Sequence, residues 1–240
     1  MSLIKSLKSL MATGKAGTSR GKYPGCPESE KIIEQFHRLY YDSGDRTWKQ
    51  TCWLGVPVQK CPFDLWVYQE IISDMRPDVI IETGTLFGGS AYYLATMFDL
   101  LGHGRVISID IEERAGRPQH ERITYLTGSS TDSRIVERVT RMVAGPGKVM
   151  VILDSDHSME HVRAELETYA PLVSPGSYLI VEDSNVNGHP VYEKHGPGPM
   201  EAVEKFIEGN REYTIDREKE KFFLTFNPKG FLKKNEPDTG

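Results

Sequence analysis

"DVIIETGTLFGGSAYYLATMFDLLG", residues 78–102, is the stretch that decides the fold. Residues 78–84 form an apolar run that is typical of a buried strand. After a glycine-rich turn, residues 90–102 show helical periodicity, with Ser90 as the candidate N-cap and Gly102 as the stop signal. A strand, a glycine turn and a helix in this order predict an α/β fold in which backbone approaches a ligand at the turn.

The same alternation continues toward the C-terminus. Further strands are predicted at residues 105–111, 123–129, 148–154 and 177–183, and further helices at residues 131–144 and 158–173. Repeated β-α-β units favour a doubly wound, mostly parallel sheet, because parallel neighbours require a crossover connection between them.

The C-terminal part breaks this alternation. Residues 199–209 have a helical pattern, and residues 211–216 and 221–227 look like two strands joined by the charged turn "REKE". We predict that these strands form an antiparallel hairpin that closes the sheet. Residues 64–240 are interpreted as one domain, and residues 1–63 as an N-terminal arm followed by an irregular, aromatic cap.

The composition limits the classes of function. The chain has 240 residues, a formal net charge of −5, and no apolar run near the roughly 20 residues that a membrane-spanning helix needs. This charge gives no long-range attraction to nucleic acid or to an anionic membrane, so neither is expected as a partner. Cys26, Cys52 and Cys61 make an odd number without a C-x-x-C pair, which favours reduced thiols and a cytoplasmic location.

The N-terminal segment carries lysine and arginine but no acidic residue before Glu28. Such a segment is either an organelle transit peptide or an arm that contacts a neighbouring subunit. Its apolar residues with helical spacing are Leu3, Ile4, Leu7 and Leu10. This spacing favours the second interpretation, so we expect a homo-oligomer.

The turn "ETGTLFGGS", residues 82–90, places an acid before its glycines. Gly84 permits a sharp turn, and Gly88 lets the backbone approach a ligand at the start of the helix. A carboxylate at Glu82 would repel a pyrophosphate but suits a cationic ligand, such as an α-ammonium group beside a sulfonium. Asp110 ends the second strand, where an acid accepts the hydroxyl groups of a ribose. The pair predicts S-adenosylmethionine as the ligand; the alternative is that the two acids only cap a turn and a helix.

Longer segments carry a resemblance to a known family. They are "WLGVPVQKCPFDLWVYQEII", "RPDVIIETGTLFGGSAYYLA", "VILDSDHS", "YAPLVSPGSYLIVEDSNVNGHPV" and "GPGPMEAVEKF", in this order within residues 53–232. They resemble the cephalosporin hydroxylase/rhamnosyl O-methyltransferase family, and the pattern E-x-G-x-x-x-G-x-S resembles the turn of metal-dependent class I O-methyltransferases. The resemblance implies a Rossmann-like, seven-stranded methyltransferase that binds S-adenosylmethionine and a divalent metal. It also implies a hydroxyl acceptor among natural products, such as a sugar or polyketide-type small molecule in antibiotic biosynthesis.

The glycine turn with its acids and the family resemblance together predict the cofactor site. Its residues are Glu82, Gly84, Thr85, Gly88, Ser90, Asp110, Ser129 and Asp154, with residues 127–130 near the adenine.

Acidic residues follow two neighbouring strands of the predicted sheet. They are Asp154 and Asp156 in "ILDSD", and Glu182 and Asp183 in "IVED". The carboxyl ends of parallel strands meet at one edge of a sheet, so we expect these acids to converge there. Four close carboxylates repel one another unless a cation lies between them, and oxygen ligands suit Mg²⁺ or Mn²⁺ rather than zinc. The pattern leaves open whether Asp154 or Asp156 binds the metal directly.

"HSMEH", residues 157–161, matches the zinc-protease pattern H-x-x-E-H. Such a site needs both histidines to face a cleft and a third ligand from another element. His161 lies one turn inside the predicted helix, and no helix for a third ligand is evident. We therefore interpret the match as a coincidence, with His157 at the helix start beside the carboxylates.

An alcohol is a weak nucleophile at neutral pH, so methyl transfer to oxygen needs a metal, a base or both. His157 is the predicted base, because imidazole exchanges a proton near neutral pH and this one follows the acids. In related macrolide-sugar methyltransferases a histidine three residues after the ligand aspartate has this role, and Asp154 and His157 have that spacing. The alternatives are that His157 only caps the helix, and that Asp156 is the base.

Residues 185–200 form a loop rich in glycine and proline directly after the second acidic pair. We predict a substrate lid with His189, Tyr192 and His195 as contacts, and the alternative is a plain connection.

Two rival functions use the same fold. A nicotinamide-dependent oxidoreductase is disfavoured by Glu82 and by the absence of G-x-G-x-x-G. A non-catalytic subunit that binds S-adenosylmethionine would be expected to lack the metal acids, and these are present.

Overall fold

The computed structural model describes residues 27–237. Its α-helices are Pro27–Asp42 (α1), Pro62–Met75 (α2), Gly89–Leu101 (α3), Ser133–Val143 (α4), Met159–Tyr169 (α5) and Pro199–Gly209 (α6). Its strands are Cys52–Trp53 (β1), Val56–Pro57 (β2), Val79–Thr83 (β3), Arg105–Asp110 (β4), Ile123–Thr127 (β5), Val149–Leu153 (β6), Tyr178–Val181 (β7), Tyr213–Ile215 (β8) and Phe231–Lys234 (β9). Short 3-10 helices lie at Thr47–Gln50, Ala170–Leu172 and Arg217–Glu220.

Strands β3 to β9 form one seven-stranded sheet in the order β5-β4-β3-β6-β7-β9-β8. Neighbouring strands are parallel except at β9, which is antiparallel to both β7 and β8. The doubly wound, mostly parallel sheet with antiparallel C-terminal strands is therefore confirmed. The chain runs outward from β3 to β5 and then returns to β6 on the other side of β3. Between β3 and β6 the strand order reverses, and this switch point is where such sheets bind ligands.

Helices cover both faces of the sheet. Successive residues of β3 point to opposite faces, so Ile80 packs with Phe98 of α3 on one face, and Ile81 packs with Leu166 of α5 on the other. All five residues of β3 are buried. A strand buried on both faces has no polar alternation, which explains the continuous apolar run in the sequence.

Close backbone contacts at the switch point require glycine. Gly84 has φ +84°, and a Cβ atom on it would lie 1.7 Å from the carbonyl oxygen of Asp154. A Cβ atom on Gly89 would lie 2.1 Å from the carbonyl oxygen of Pro57. These glycines let the end of β6, the start of α3 and the segment before α2 meet. The N-cap of α3 is Gly88, so the prediction of Ser90 as the cap is wrong; Ser90 lies inside the first turn.

Residues 221–227 do not form the second strand of the predicted hairpin, and β9 takes that place beside β8. The backbone of this segment is held by the buried Asp64 of α2. Its carboxylate accepts hydrogen bonds from Thr225 Oγ1 at 2.5 Å and from the Phe226 amide at 2.8 Å. Phe226 packs in a small apolar cluster with Cys61, so the apolar character of the segment serves this cluster rather than a sheet.

The segment before the sheet contains a helix where the sequence suggested an irregular cap. In α1, His37 is buried, stacks on Phe226 at 5.9 Å, and accepts a hydrogen bond from Asn185 Nδ2 at 3.0 Å. Burial lowers the pKa of His37 to about 4, so the ring is neutral at physiological pH. The predicted arm, residues 1–25, lies outside the described residues. Within residues 27–237, no helix combines the length and apolar character needed to cross a membrane.

Candidate active site

A cleft of roughly 730 Å³ opens at the switch point. Its wall consists of the turn after β3, the ends of β4 and β6, residues after β7, and the segment before α2. The predicted site residues on this wall are Gly84, Thr85, Ser90, Asp110, Asp154, Asp156, His157 and Asp183. The structure thus brings the predicted cofactor turn and three of the four predicted acids into one cavity.

The other predicted site residues, as far as residues 27–237 show, do not line the cleft; they are Glu82, Gly88, Ser129 and Glu182. Glu82 is fully buried behind the turn, where its Oε2 accepts a hydrogen bond from Ser108 Oγ at 2.6 Å. Burial raises the pKa of Glu82, and its Oε1 has no hydrogen-bond partner within residues 27–237. Near the predicted adenine position, Ser130 rather than Ser129 lies on the wall.

The carboxylate of Asp110 fixes the glycine turn. Its Oδ2 accepts hydrogen bonds from the amides of Thr85 at 3.1 Å and Leu86 at 2.8 Å. Arg117, which is 8% exposed, donates to the same oxygen at 2.9 Å and to the Leu86 carbonyl at 3.0 Å. The acid at the end of β4 therefore holds the backbone that faces the cleft, a role that its position at a strand end did not reveal.

A second cluster joins the ends of β6 and β7. Asp154, His157 and Asp183 each offer one ligand atom, and these atoms lie within 4.8 Å of one another. His157 Nε2 is 3.3 Å from Asp183 Oδ2 and 3.9 Å from Asp154 Oδ1. Burial, and then the Asp154 carboxylate, raise the pKa of Asp183, although His157 opposes the shift. Two carboxylates and one imidazole therefore share this part of the cleft.

Glu182 belongs to a buried network behind this cluster. Its Oε1 accepts hydrogen bonds from Lys60 Nζ at 2.6 Å and from the Tyr68 hydroxyl at 2.9 Å. Asn227 donates to the Tyr68 hydroxyl, and its Oδ1 accepts the amide hydrogen of Asp183. The network connects the two acids of "IVED" to α2. Lys60 and Tyr68 were missed by sequence reasoning, because neither belongs to a strand end or to a recognised motif.

Asp156 and His161 of the "DSDHSMEH" stretch also line the cleft, but their closest polar contacts lie outside the cluster of Asp154, His157 and Asp183. Asp156 Oδ1 accepts the amide hydrogen of Ser158 at 2.8 Å, and this hydrogen bonding lowers the pKa of Asp156. His161 Nε2 is 3.2 Å from Ser130 Oγ and 3.4 Å from Glu165 Oε1. In the part of the chain that the structure describes, the group able to hold a metal contains one histidine, so the geometry gives the zinc pattern no support.

Part of the cleft wall is aromatic. Tyr41 and Trp48 line it from the N-terminal segment, with their rings stacked at 5.3 Å, and Tyr192 and His195 line it from the predicted lid. His189, the third predicted lid contact, instead lies 2.9 Å from Glu201 at the start of α6. This aromatic wall lies in the same cleft as His157 and Asp183.

The lid loop is tied down at several points. Asn187 Nδ2 donates to Glu201 at 2.8 Å, and Arg38 of α1 forms an ion pair with Glu193 at 3.0 Å. Helix α1 thus contacts the loop from the outside. The loop is also held from within, because Val191 is fully buried and its amide donates to the Asn185 carbonyl at 3.1 Å. Its role as a substrate lid remains a prediction.

Comparison with known proteins gives the family. The family described as "Rhamnosyl O-methyltransferase/CmcI" matches residues 45–235. Rhamnosyl O-methyltransferase of Mycobacterium tuberculosis (strain ATCC 25618 / H37Rv) is 43% identical over 214 residues, which cover 86% of this chain and 86% of that protein. The protein of the same name from Mycobacterium leprae (strain TN) is 41% identical over 211 residues, 85% of this chain and 91% of that protein.

Solved structures show the same fold. The structure described as "cmcI-D160 Mg-SAM" aligns with a TM-score of 0.60 at 20% identity, over 78% of this chain and 77% of that chain. The structure "MycE Methyltransferase from the Mycinamycin Biosynthetic Pathway in Complex with Mg, SAH, and Mycinamycin VI" aligns with a TM-score of 0.55 at 21% identity, over 72% and 50% of the two chains. The resemblance stated from sequence motifs is confirmed: the chain belongs to the rhamnosyl O-methyltransferase/CmcI family and is an O-methyltransferase.

Proposed function

We propose that the chain transfers a methyl group from S-adenosylmethionine to a hydroxyl group of a small molecule, with Mg²⁺ or Mn²⁺ held by acids of the cleft. The observation that carries this proposal is that one cleft contains both the glycine turn with Asp110 and the cluster of Asp154, His157 and Asp183. S-adenosylmethionine supplies a methyl group on a sulfonium, and a divalent cation supplies positive charge that favours loss of the hydroxyl proton.

The acidic cluster fits a divalent cation. Carboxylate oxygens of Asp154 and Asp183 face the cleft within reach of one another, and such hard donors suit Mg²⁺. Burial raises the pKa of both Asp183 and Glu182, and the nearby Asp154 carboxylate adds to the shift, as expected for carboxylates that share a low-dielectric site. Lys60 neutralises part of this charge, and a cation in the cleft would neutralise more. Asp154 and Asp183 are the residues that would hold it.

The turn fits S-adenosylmethionine. The first turn of α3, with Ser90 on the cleft wall, suits a carboxylate, because helix N-termini attract anions. The buried carboxylate of Glu82 behind the turn, with one unpartnered oxygen, favours positive charge in front of it. The residues that would hold the molecule are Gly84, Thr85, Ser90 and Asp110, with Ser130 and His161 on the wall near the end of β5.

His157 is the residue that would take the proton of the acceptor hydroxyl, at Nε2. This nitrogen faces the cleft cluster, and Asp183 at 3.3 Å stabilises the positive charge that the ring then carries. Asp156 is the weaker candidate, because hydrogen bonds at Ser158 lower its pKa and a carboxylate of low pKa is a poor base. The aspartate is better described as a local cap at the start of α5.

The acceptor is proposed to be a sugar hydroxyl of a larger natural product, such as an antibiotic or another glycoside. The support is the aromatic wall of Tyr41, Trp48 and Tyr192, which offers flat apolar surface beside His157, and the names of the curated relatives. The test measures formation of S-adenosylhomocysteine with glycosides that carry free sugar hydroxyls, against the same compounds without the sugar. Turnover of the sugar-free compounds alone would contradict the sugar assignment.

Asp110→Ala is expected to weaken S-adenosylmethionine binding severalfold or more. The substitution removes the acceptor of the Thr85 and Leu86 amides and leaves Arg117 without its partner, so the turn loses its fixed shape. Calorimetric titration measures the affinity. The matched control is Asp99→Ala, which removes an exposed acid paired with Arg122 on the far side of α3. Unchanged affinity in Asp110→Ala would remove Asp110 from the cofactor site.

Tyr192→Ala is expected to raise the KM for the acceptor by about threefold to tenfold, because one aromatic contact contributes about 0.5–1.5 kcal/mol. The ring is 55% exposed, so its loss costs little stability, and kcat and S-adenosylmethionine affinity should stay near their original values. Phe223→Ala removes a comparably exposed ring outside the cleft and is the control. An acceptor KM that does not change would place the acceptor elsewhere.

The assembly and location of the protein are also proposals. The expected homo-oligomer is supported by the exposed apolar face of α1, formed by Ile32, Phe36 and Leu39. A cytoplasmic location is supported by Cys52 and Cys61, which are both free thiols in the part of the chain that the structure describes.

A further inference from the structure

Lys60 is a buried lysine whose ammonium lies between two carboxylates. Only 4% of its side chain is exposed, and Nζ is 2.5 Å from Asp154 Oδ2 and 2.6 Å from Glu182 Oε1. Burial lowers the pKa of Lys60, but the carboxylates of Asp154 and Glu182 more than offset this effect and raise it above its ordinary value. The side chain does not reach the cleft wall: among the described residues, those that line the cavity do not include it.

The backbone of Lys60 is fixed on both sides. Its carbonyl accepts a hydrogen bond from Thr51 Oγ1 at 3.3 Å, and the next residue, Cys61, is the N-cap of α2. The carbonyl of Cys61 accepts the amide hydrogens of Asp64 and Leu65. The ammonium is therefore delivered from a rigid start of a helix, and its place in the cluster does not depend on a mobile loop.

Each carboxylate that Lys60 contacts is held by one oxygen. Asp154 is held through Oδ2, and its Oδ1 lies 3.9 Å from His157 Nε2 on the side of the cleft. Glu182 is held through Oε1, which also accepts the Tyr68 hydroxyl. The lysine thus orients the acids before any other cation arrives, and leaves Asp154 Oδ1 beside Asp183 and His157.

We infer that Lys60 is a positioning residue of the acidic cluster, which preassembles Asp154 and Glu182 and whose charge weakens the binding of a divalent cation. This inference rests on the proposed function. The ammonium of Lys60 repels a bound cation, and it also keeps Asp154 and Glu182 ordered. The repulsion should be the larger effect, because two positive charges a few ångströms apart in a partly buried site interact more strongly than the entropy cost of ordering two side chains. A divalent cation would therefore bind more tightly without the ammonium, although the cluster would be less well ordered.

The experiment measures Mn²⁺ binding without any substrate, by the electron paramagnetic resonance signal of the free ion, together with Tm in EDTA and in Mn²⁺. Lys60→Met should bind Mn²⁺ at least about tenfold more tightly than the original protein, melt at a lower temperature in EDTA, and show a larger Tm increase with Mn²⁺. Lys60→Arg keeps the charge, and its Mn²⁺ affinity should lie nearer to the original value than that of Lys60→Met. Lys49→Met is the matched control, because Lys49 is an exposed lysine on the cleft wall that contacts no carboxylate within residues 27–237, and its effect should stay within about twofold.

Three results separate the possibilities. If the original protein binds no Mn²⁺, the proposed metal and this inference both fall. If it binds Mn²⁺ and Lys60→Met binds the ion equally or more weakly, this inference alone falls. If Lys60→Met does not fold, Lys60→Met combined with Glu182→Gln removes one charge of each sign; it should fold with Tm in EDTA closer to the original protein, and failure to do so overturns the charge pairing.

Discussion

Asp183→Asn should reduce methyl transfer by at least about 10²-fold while S-adenosylmethionine still binds. A cation at an acidic site contributes several kcal/mol to stabilising developing negative charge, and each 1.4 kcal/mol corresponds to about a factor of ten in rate. The Asp183 carboxylate lies 3.3 Å from His157, and its amide donates to Asn227 Oδ1 at 3.1 Å. Asparagine keeps the size and one acceptor oxygen but removes the charge that holds a cation. The glycine turn follows β3 and Asp110 ends β4, neither of which is next to β7 in the sheet, so both remain intact.

Removal of the metal should give the same result by a different route. EDTA should abolish most turnover in the original protein, and added Mg²⁺ should restore it, whereas neither should change turnover of Asp183→Asn by much. Calorimetric titration of S-adenosylmethionine in EDTA separates a metal effect on chemistry from one on cofactor binding. Full activity in EDTA, with no bound metal found by elemental analysis, would refute the role of the cluster.

Asp156→Asn is the matched control for this experiment. Asp156 lies two residues from Asp154 and also faces the cleft, but its carboxylate caps the amide of Ser158. We expect its loss to change turnover by less than about tenfold. A loss as large as that of Asp183→Asn would instead support the alternative, drawn from the sequence, that the second aspartate of "DSD" is the metal ligand or the base.

Local pattern predicted the parts of the site that lie at strand ends. Asp110 is the last residue of β4, and Gly84, Asp154 and Asp183 come shortly after β3, β6 and β7. The topology brings such positions to one edge of the sheet. Lys60 could not be found in this way. It is 94 residues from Asp154 in sequence, and a lysine before a Cys-Pro pair carries no signal of burial.

The two acids of "IVED" follow β7, which ends at Val181, and their side chains point in different directions. Asp183 has φ +53°, in the left-handed region, and lies on the cleft wall, whereas Glu182 is buried behind it. In the structure, Glu182 turns toward Tyr68 of α2, and Asp183 toward His157. The sequence pattern placed both acids at one edge of the sheet but did not reveal this difference, and the assignment of Glu182 as a metal ligand remains a prediction.

The error in the C-terminal hairpin has another cause. Residues 221–227 and Phe231–Lys234 are both short runs that suit a strand, and composition alone does not distinguish them. Asp64 distinguishes them, because its carboxylate accepts hydrogen bonds from the Thr225 hydroxyl and the Phe226 amide and so keeps residues 221–227 out of the sheet. Asp64 lies 161 and 162 residues from its two partners in sequence, so a distant side chain determines which segment pairs with β8.

His157→Ala should reduce turnover by roughly 10²–10⁴-fold, the usual range for loss of a general base, with Mn²⁺ and S-adenosylmethionine still bound. The imidazole lies on the cleft wall, with Nε2 3.3 Å from Asp183, where it can take the acceptor proton and have its positive charge stabilised. The residual rate of the variant should rise with pH, because hydroxide replaces the missing base, and this slope distinguishes lost proton transfer from a collapsed site.

His161→Ala is the matched control for His157→Ala, because both histidines belong to "HSMEH" and both line the cleft. His161 is turned toward Ser130 and Glu165 instead of the acidic cluster. Its loss should change S-adenosylmethionine affinity more than the turnover of the saturated enzyme, and should leave the pH dependence unaltered. Wild-type turnover in His157→Ala would mean that Asp156 is the base or that the cation alone promotes loss of the proton. Equal losses of turnover in His157→Ala and His161→Ala would show that the rate depends only on an intact cleft wall. A steep pH dependence in the His157 variant only is the result that identifies its ring as the proton acceptor.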